Sequence, residues 1–156
     1  MDDAEVDISI LYNTLREIYE VGLPFNRLIG MKVVELNDKN VSMKIVRRDE
    51  LIGNPFRNIL HGGVISSVID VVGGLTASVG LLKQMADSSL EELKNRFMKM
   101  GTIDLRVDYL RGGQGEEFLC TGSVLRTGNK VAVTRMEFRN DEDVLIAVGT
   151  GTYLVG

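Results

Sequence analysis

The sequence predicts an α+β domain in which a long antiparallel sheet surrounds one apolar helix. Two observations support this fold class. The first is segment 62–82, which is apolar nearly all round and contains Asp70 as its single charged residue. The second is the last third of the chain, where alternating segments are separated by short turns rich in Gly and Asn. A helix with no polar face must be enclosed on most sides, and a sheet can enclose it.

Length and composition limit the class of protein. A chain of 156 residues predicts one domain over 1–156, with 1–24 as an N-terminal helical extension. The net charge of −4 argues against a general nucleic-acid binder, which needs a basic face. With Cys120 as the one cysteine and His61 as the one histidine, an internal disulfide, a cysteine-based zinc site and any two-histidine site are excluded.

The sequence also predicts where the protein is located. Residues 1–5 are acidic and lack the basic-then-apolar order of a signal peptide, so we expect a cytoplasmic protein. Segment 62–82 is long enough to cross a bilayer. However, it contains five glycines, four Ser or Thr residues and a carboxylate near its middle, where charge is most costly. A buried core helix without membrane contact is therefore predicted.

The elements before this core helix follow from apolar periodicity and turn residues. Apolar residues at helical spacing predict an amphipathic N-terminal helix, which Gly22 and Pro24 end. Alternation on both sides of an Asn- and Asp-rich turn predicts strands at 31–36 and 41–46. Residues 47–60 are predicted to form a loop.

After this loop we expect the core helix, from about Gly63 to Leu82, then a second helix and a four-stranded meander. The second helix is predicted to begin at Ser88, where Ser88 and Glu91 fit a capping box, and to end at Gly101. Short turns make the four strands antiparallel. These strands are predicted at 102–111, 117–126, 130–139 and 144–154.

The first strand of the meander alternates with a period of two residues. Ile103 and Leu105 begin the apolar set, and Thr102 and Asp104 begin the polar set. We therefore expect Thr102 on the polar face of the strand, away from Ile103.

The start of the core helix has the properties of a carbonyl-binding site. Gly62 and Gly63 stand where the first amides of the helix are free donors and where the helix dipole adds positive charge. Glycine lets a carbonyl approach these amides closely, and such contacts stabilise an oxyanion. Asp70 is a carboxylate on the same apolar helix, and burying it without a partner is costly. A carboxylate near a polarised carbonyl indicates hydrolysis, with Asp70 as general base or nucleophile.

The helix geometry prevents these groups from meeting within one chain. The nine positions from His61 to Asp70 span about 13.5 Å and turn through about 900°, so the two ends face opposite ways. Two antiparallel helices across a two-fold axis would bring the helix start of one copy to Asp70 of the other. The spacing therefore predicts a homodimer with two shared sites, and leaves open whether two dimers pair into a tetramer.

The element order and one motif resemble the PaaI-like branch of the hotdog-fold acyl-CoA thioesterases. The motif is Gly53-Asn54-Pro55, followed by Leu60-His61-Gly62-Gly63-Val64, with Asp70 nine residues after the histidine. The resemblance covers about residues 20–156, and segment 102–111 looks like the first strand after the helices of that family. It implies a curved sheet wrapped around the long helix, an acyl-CoA substrate, and no metal or redox cofactor.

The resemblance also implies roles for individual residues at the helix start. Asp70 matches the acidic residue that activates water or attacks the thioester. Gly62, or its neighbour Gly63, matches the residue whose amide polarises the carbonyl. His61 matches a histidine that orients the site and does not transfer protons.

Two further positions match the family in the loop and in the first meander strand. Thr102 matches a Ser or Thr that helps hold the water in some members. Asn54 matches a loop asparagine near the carbonyl, although it stands seven residues before the histidine and several relatives have six. Asn58 is a nearby candidate for the same role.

Coenzyme A carries phosphates, which require cations at a surface site. Strand ends and turns are places where a ligand can be met. The candidate cations there are Arg57, Arg111, Arg126 and Lys130.

Two other functions are compatible with the same fold. One is a hotdog hydratase or dehydratase, which requires a histidine and a carboxylate placed for proton transfer at carbon. The other is a non-catalytic acyl-CoA sensor. Release of free thiol from acyl-CoA distinguishes a thioesterase from both.

Overall fold

A six-stranded antiparallel sheet surrounds one long helix in the structure, a computed structural model that describes residues 8–86 and 88–156. Residues 1–7, which include the acidic N-terminus and part of the predicted extension, lie outside the described residues. The helices are α1 (Ile8–Glu17), α2 (Pro24–Ile29), α3 (Gly62–Gln84) and α4 (Leu90–Phe97). The strands are β1 (Lys32–Leu36), β2 (Val41–Val46), β3 (Ile52–Asn54), β4 (Ile59–Leu60), β5 (Gly101–Tyr109), β6 (Glu117–Thr127), β7 (Val131–Asn140) and β8 (Leu145–Leu154).

The strand order corrects part of the predicted meander. The order in the sheet is β1-β2-β6-β7-β8-β5, so β6, β7 and β8 form a meander but β5 does not pair with β6. The connection 110–116 is seven residues long, which is more than a tight hairpin needs. Its Gly113 carbonyl accepts from the Leu60 amide at 3.0 Å, so the connection crosses the sheet end towards the loop before α3. As a result, β5 lies at a free edge of the sheet.

Helix α3 is the core of the molecule, as the sequence predicts. It packs against β2, β5, β6, β7 and β8, which requires the sheet to curve around it. Close approach depends on glycines: a Cβ added at Gly122 would collide with the Thr76 hydroxyl, and one at Gly149 with the Ile69 side chain. By length and composition α3 could cross a membrane, but 67% of its most apolar stretch is buried inside the protein. The apolar side chains of α3 are thus mostly covered by the concave face of the sheet.

Three smaller predictions are wrong at the residue level. The N-cap of α4 is one residue later than predicted, because Ser89 and not Ser88 accepts from the Glu92 amide at 3.3 Å. Both serines have a glutamate three residues on, so spacing alone cannot choose between them. The helix also ends at Phe97, and Gly101 begins β5. Within the predicted loop 47–60, the strands β3 and β4 form a small separate ribbon.

Candidate active site

Asp70 is a half-buried carboxylate in the middle of α3, and hydroxyl groups hold one of its oxygens. Thr102 donates from Oγ1 to Asp70 Oδ1 at 2.9 Å. The Tyr153 hydroxyl donates to the Asp70 backbone carbonyl at 3.0 Å and lies 3.3 Å from the same Oδ1. Among the described residues, none donates a hydrogen bond to Oδ2. We call Asp70, Thr102 and Tyr153 the carboxylate cluster; it presents one fixed and one free oxygen.

A β-bulge places Thr102 in this cluster and overturns the predicted alternation of its strand. Thr102 pairs with Tyr153 and Asp104 pairs with Thr152, so Ile103 is an extra residue on β5. Because of this extra residue, the side chains that precede it on β5 point to the opposite face of the sheet from the one that the alternation predicts. Thr102 consequently faces the helix, and Ile103 is 56% exposed instead of buried.

Tyr153 is a member of the cluster that the sequence analysis missed. Its side chain is 2% exposed, and burial, followed by the nearby Asp70 charge, raises the pKa of its phenol. It therefore stays protonated and acts as a donor. A Cβ at Gly73 would strike its ring, so α3 lies directly over the tyrosine. The pattern Gly149, Gly151, Tyr153 on one strand face was the available signal, since small neighbours leave room for a large side chain.

The start of α3 is capped by His61, which is itself exposed. His61 Nδ1 accepts from the Gly63 amide at 2.8 Å, so this nitrogen is unprotonated in the structure. The Gly63 amide is thus already engaged. The Gly62 amide has no acceptor within the described residues, which makes it the donor that remains available to a ligand.

Tyr109 fixes the position of this helix start. Its hydroxyl donates to the Gly62 carbonyl at 2.9 Å, and a Cβ at Gly62 would lie 3.5 Å from its ring. Tyr109, which ends β5 on the helix-facing side, was not among the predicted site residues. We call His61, Gly62 and Tyr109 the helix-start cluster.

The two loop asparagines have different hydrogen-bond partners. Asn54 Oδ1 accepts from the amides of Phe56 and Arg57 at 3.1 and 3.2 Å, which closes the loop turn. Its neighbour Gly53 packs so tightly on His61 that a Cβ there would lie 2.6 Å from the His61 Cα. Asn58 instead accepts from Arg47 at 2.9 Å. The choice between Asn54 and Asn58 for the role near the carbonyl stays a prediction.

The four candidate cations fall into two groups. Arg57 and Arg111 line one cleft of about 610 Å³ beside the connection 110–116, together with the acidic residues Glu116, Asp141 and Glu142. Arg126 and Lys130 belong to the β6–β7 hairpin, at the opposite end of β6 from this cleft. The structure brings the first pair together and separates it from the second pair.

Other chemistry-bearing groups have simpler surroundings. Cys120 is fully buried, and burial raises the pKa of its thiol, so it remains an inert packing residue. Over residues 8–86 and 88–156, no three His, Cys, Asp or Glu side chains are grouped so that they could hold a metal ion.

The two clusters lie at opposite ends of β5. Thr102, near its beginning, binds Asp70, and Tyr109, at its end, binds Gly62. One cluster offers a carboxylate and the other a free amide at a helix start, the two groups that the sequence predicts for carbonyl hydrolysis. The fold and these clusters together define a hotdog protein equipped for ester or thioester hydrolysis.

Comparison with known proteins agrees with this class. Residues 57–147 match the family described as the thioesterase superfamily, and the chain belongs to that family. It is 45% identical over 140 residues to the medium/long-chain acyl-CoA thioesterase YigI of Escherichia coli K12, covering 90% of each chain. It is 43% identical to the protein of the same name from Salmonella typhimurium, with the same coverage.

A solved structure shows the same fold. The Shewanella oneidensis protein related to the thioesterase superfamily superposes with a TM-score of 0.92 at 47% identity, covering 95% of this chain and 97% of that one. The predicted hotdog fold and thioesterase family are thereby confirmed. The narrower PaaI-like assignment stays a prediction.

Proposed function

We propose that this protein hydrolyses medium- and long-chain acyl-CoA thioesters to a free carboxylic acid and coenzyme A. The observation that carries the proposal is the half-buried Asp70 carboxylate, with one oxygen held by Thr102 and the other free. Family membership makes a thioester the bond to be cleaved. The acyl-CoA class and the chain length follow from the names of relatives at 43–45% identity.

The chemistry follows from the two clusters. The Gly62 amide donates to the thioester oxygen and stabilises the negative charge that develops there. A water molecule attacks the carbonyl carbon while Asp70 accepts its proton; coenzyme A then leaves as a thiolate and is protonated. Alternatively, Asp70 itself attacks to form an anhydride, which water hydrolyses. Both routes place the carbonyl between the Gly62 amide and Asp70.

A homodimer supplies this arrangement. Within the described residues β5 pairs on one side only, with β8, so its other edge offers free amides and carbonyls along nine residues. An edge of this length with an exposed Ile103 is a template for a second copy. Antiparallel pairing of two β5 strands would extend the sheet across a two-fold axis.

This pairing also joins the two clusters. Leu105 is the middle residue of β5. If the axis passes beside it, Tyr109 of one copy lies opposite Gly101 of the other. Gly62 is held at the Tyr109 end through its carbonyl, so its free amide then faces Asp70 of the second copy, which is bound at the Thr102 end. Pairing of the two β5 strands would therefore form both of the shared sites that the spacing of His61 and Asp70 predicts.

The Arg57–Arg111 cleft is the proposed place for the phosphates of coenzyme A. It lies beside the helix start, since Arg57 reaches within 3.5 Å of a Cβ at Gly112, and Gly113 packs on Leu60 just before His61. The same copy would then supply the Gly62 amide and the phosphate contacts. A role for Arg126 and Lys130, a cytoplasmic location, the absence of a cofactor and the pairing of dimers stay predictions.

Release of free thiol tests the proposal directly. The purified protein is incubated with butanoyl-, octanoyl- and hexadecanoyl-CoA, and thiol is measured with a chromogenic disulfide. We expect turnover that is highest with the two longer chains. Binding of acyl-CoA without thiol release would indicate a sensor, and a change in absorbance of an enoyl substrate without thiol release would indicate a hydratase.

A further inference from the structure

We infer that the acyl chain of the substrate lies in an apolar cavity between α1, α3 and α4, so that the N-terminal helix is part of the substrate site. This inference rests on the proposed function. The cavity has a volume of about 530 Å³, within the range of roughly 300–1,000 Å³ usual for small-molecule sites. Its walls are almost entirely aliphatic and aromatic, from Leu11 and Leu15 on α1 to Leu90 and Leu93 on α4.

One end of the cavity lies next to the carboxylate cluster. Tyr19 and Met100 line this end, and Met100 is two residues before Thr102, which binds Asp70. The Tyr19 hydroxyl is 3.4 Å from Ser78 Oγ, and it would lie 3.5 Å from a Cβ at Gly74.

A row of α3 residues leads from the carboxylate to the far end. Asp70, Gly74, Ser78 and Leu82 are four residues apart and form one ridge of the helix. Gly74 carries no side chain, so the Tyr19 hydroxyl and the Tyr153 ring of the carboxylate cluster both approach the helix backbone there; a Cβ at Gly74 would lie 3.5 and 3.7 Å from them. From Asp70 to Leu82 the ridge covers about 18 Å along the helix axis, which accommodates an extended hydrocarbon chain.

The far end of the cavity is lined by Leu82 of α3 and Leu90 of α4. Helix α4 leads from Leu90 towards Met100, and α1 continues from Leu11 into the π-helical segment Ile18–Gly22, which contains Tyr19. An acyl group attached to a thioester at Asp70 is the apolar ligand that would start at the near end. Its length determines how far it reaches along the ridge.

The copy that supplies Asp70 therefore also holds the acyl chain, whereas the other copy supplies the Gly62 amide and the Arg57–Arg111 cleft. Each substrate would be divided between two subunits at its thioester bond.

Tryptophan substitutions on two walls test the assignment, each with a matched control. Leu90 lines the cavity yet is 58% exposed, and Glu91 beside it is exposed and lies outside the lining. On α1, Thr14 lines the cavity, and the neighbouring Asn13 does not. Because all four sites are exposed or at the rim, these variants should fold, which circular dichroism checks.

The measured quantity is the ratio of kcat/KM for hexadecanoyl-CoA to that for butanoyl-CoA. In Leu90→Trp and Thr14→Trp we expect this ratio to fall about tenfold or more, the effect of displacing two or so methylenes from an apolar site. Glu91→Trp and Asn13→Trp should keep the wild-type ratio. Equal ratios in lining and control variants, with normal hydrolysis, would overturn the inference and leave the proposed function intact.

A binding measurement separates the inference from hydrolysis. Calorimetry with Asp70→Asn protein and hexadecanoyl-CoA should show an affinity that Leu90→Trp, added to the same protein, lowers about tenfold and that Glu91→Trp does not change. This result would support the cavity even if the wild-type protein released no thiol. Equal affinities in the two double variants would refute it.

Discussion

At the scale of single residues, Asp70 differs from an ordinary surface carboxylate because its two oxygens have different surroundings. Oδ1 is held by the Thr102 hydroxyl at 2.9 Å, and Oδ2 has no donor among the described residues. The fixed oxygen sets the orientation of the group, and the free one can accept a proton from water or attack a carbonyl. A general base or nucleophile requires a carboxylate that is held in one orientation and still has a free oxygen.

Replacing Asp70 with Asn should therefore remove most of the activity and keep the fold. The amide has nearly the same shape and still accepts from Thr102, but it is neither a base nor a good nucleophile. We expect kcat to fall by about 10²–10⁴, the usual range for a positioned acid–base group. Thiol release measures the loss, with the thermal unfolding midpoint as the folding control. Near-normal turnover in a folded variant would contradict the role of Asp70.

Tyr153 should matter more for stability than for chemistry. Its hydroxyl satisfies the Asp70 carbonyl in a buried position, so Tyr153→Phe should lower the free energy of unfolding by about 1–3 kcal/mol at pH 7. Because burial raises its pKa in the folded protein, the unfolded chain loses this proton first as the pH rises. Stability should thus be complete below about pH 10 and decline above it.

Chemical denaturation at pH 8 to 11 checks both points. The alkaline decline should be smaller in Tyr153→Phe than in the wild type, with Tyr19, whose pKa is also raised, accounting for part of what remains. An equally steep decline in the variant would contradict the assignment to Tyr153.

His61 is expected to position the helix start and not to carry a proton. Its Nδ1 already accepts from the Gly63 amide, so His61→Ala removes a helix cap. We expect a loss of activity smaller than that of Asp70→Asn, and partial recovery in His61→Asn, because asparagine is also a good N-cap. Activity assays of the three variants decide this. If His61→Asn is as impaired as Asp70→Asn, His61 acts in the chemistry.

At the scale of elements, the start of α3 allows a test in which one backbone N–H is removed. Gly62 is the first residue of the helix after the His61 cap, a position at which proline is well tolerated. His61 has φ −64° and ψ 134°, the extended backbone that a following proline requires. Gly62→Pro thus deletes the free N–H and should preserve the helix.

Gly62→Ala is the matched control, because it keeps the N–H and its Cβ would lie in ordinary contact with Tyr109. We expect Gly62→Pro to lower kcat by about 10²–10³, as removal of one oxyanion donor does, and Gly62→Ala to lower it far less. Steady-state kinetics of the two folded variants give the answer. Similar kcat values in the two would show that the Gly62 amide does not contact the thioester oxygen.

The elements also show which features a sequence can predict. Helix α3 was predictable because a long apolar stretch has few alternatives to burial. The face of the sheet on which Thr102 lies was not predictable. The sequence of β5 alternates regularly between polar and apolar residues, and it gives no sign of the bulge at Ile103. The place of β5 at the sheet edge depends on where the connection 110–116 packs, which is a tertiary contact.

The site was predictable to a similar degree. Asp70, Gly62 and His61 stand out because their residue types are unusual at the start or in the middle of an apolar helix. Tyr109 and Tyr153 do not, because a tyrosine at a strand end or on a buried strand face has a structural explanation. Their roles depend on which helix backbone their hydroxyls reach, and only the packed structure shows that.

At the scale of the whole molecule, one chain contains two clusters that we propose to be the two halves of one site. The carboxylate cluster and the helix-start cluster lie at opposite ends of β5, and β5 has a free edge. The central claim is therefore that two copies share each site, with Gly62 from one and Asp70 from the other.

Mixing two inactive variants tests this claim most directly. Asp70→Asn and Gly62→Pro proteins are unfolded together in equal amounts, refolded and assayed for thiol release, with mass spectrometry to verify that mixed dimers form. About half the dimers should be mixed, each with one intact site of two, so activity should return to about a quarter of the wild-type value. If mixed dimers form and no activity returns, Gly62 and Asp70 do not come from different copies.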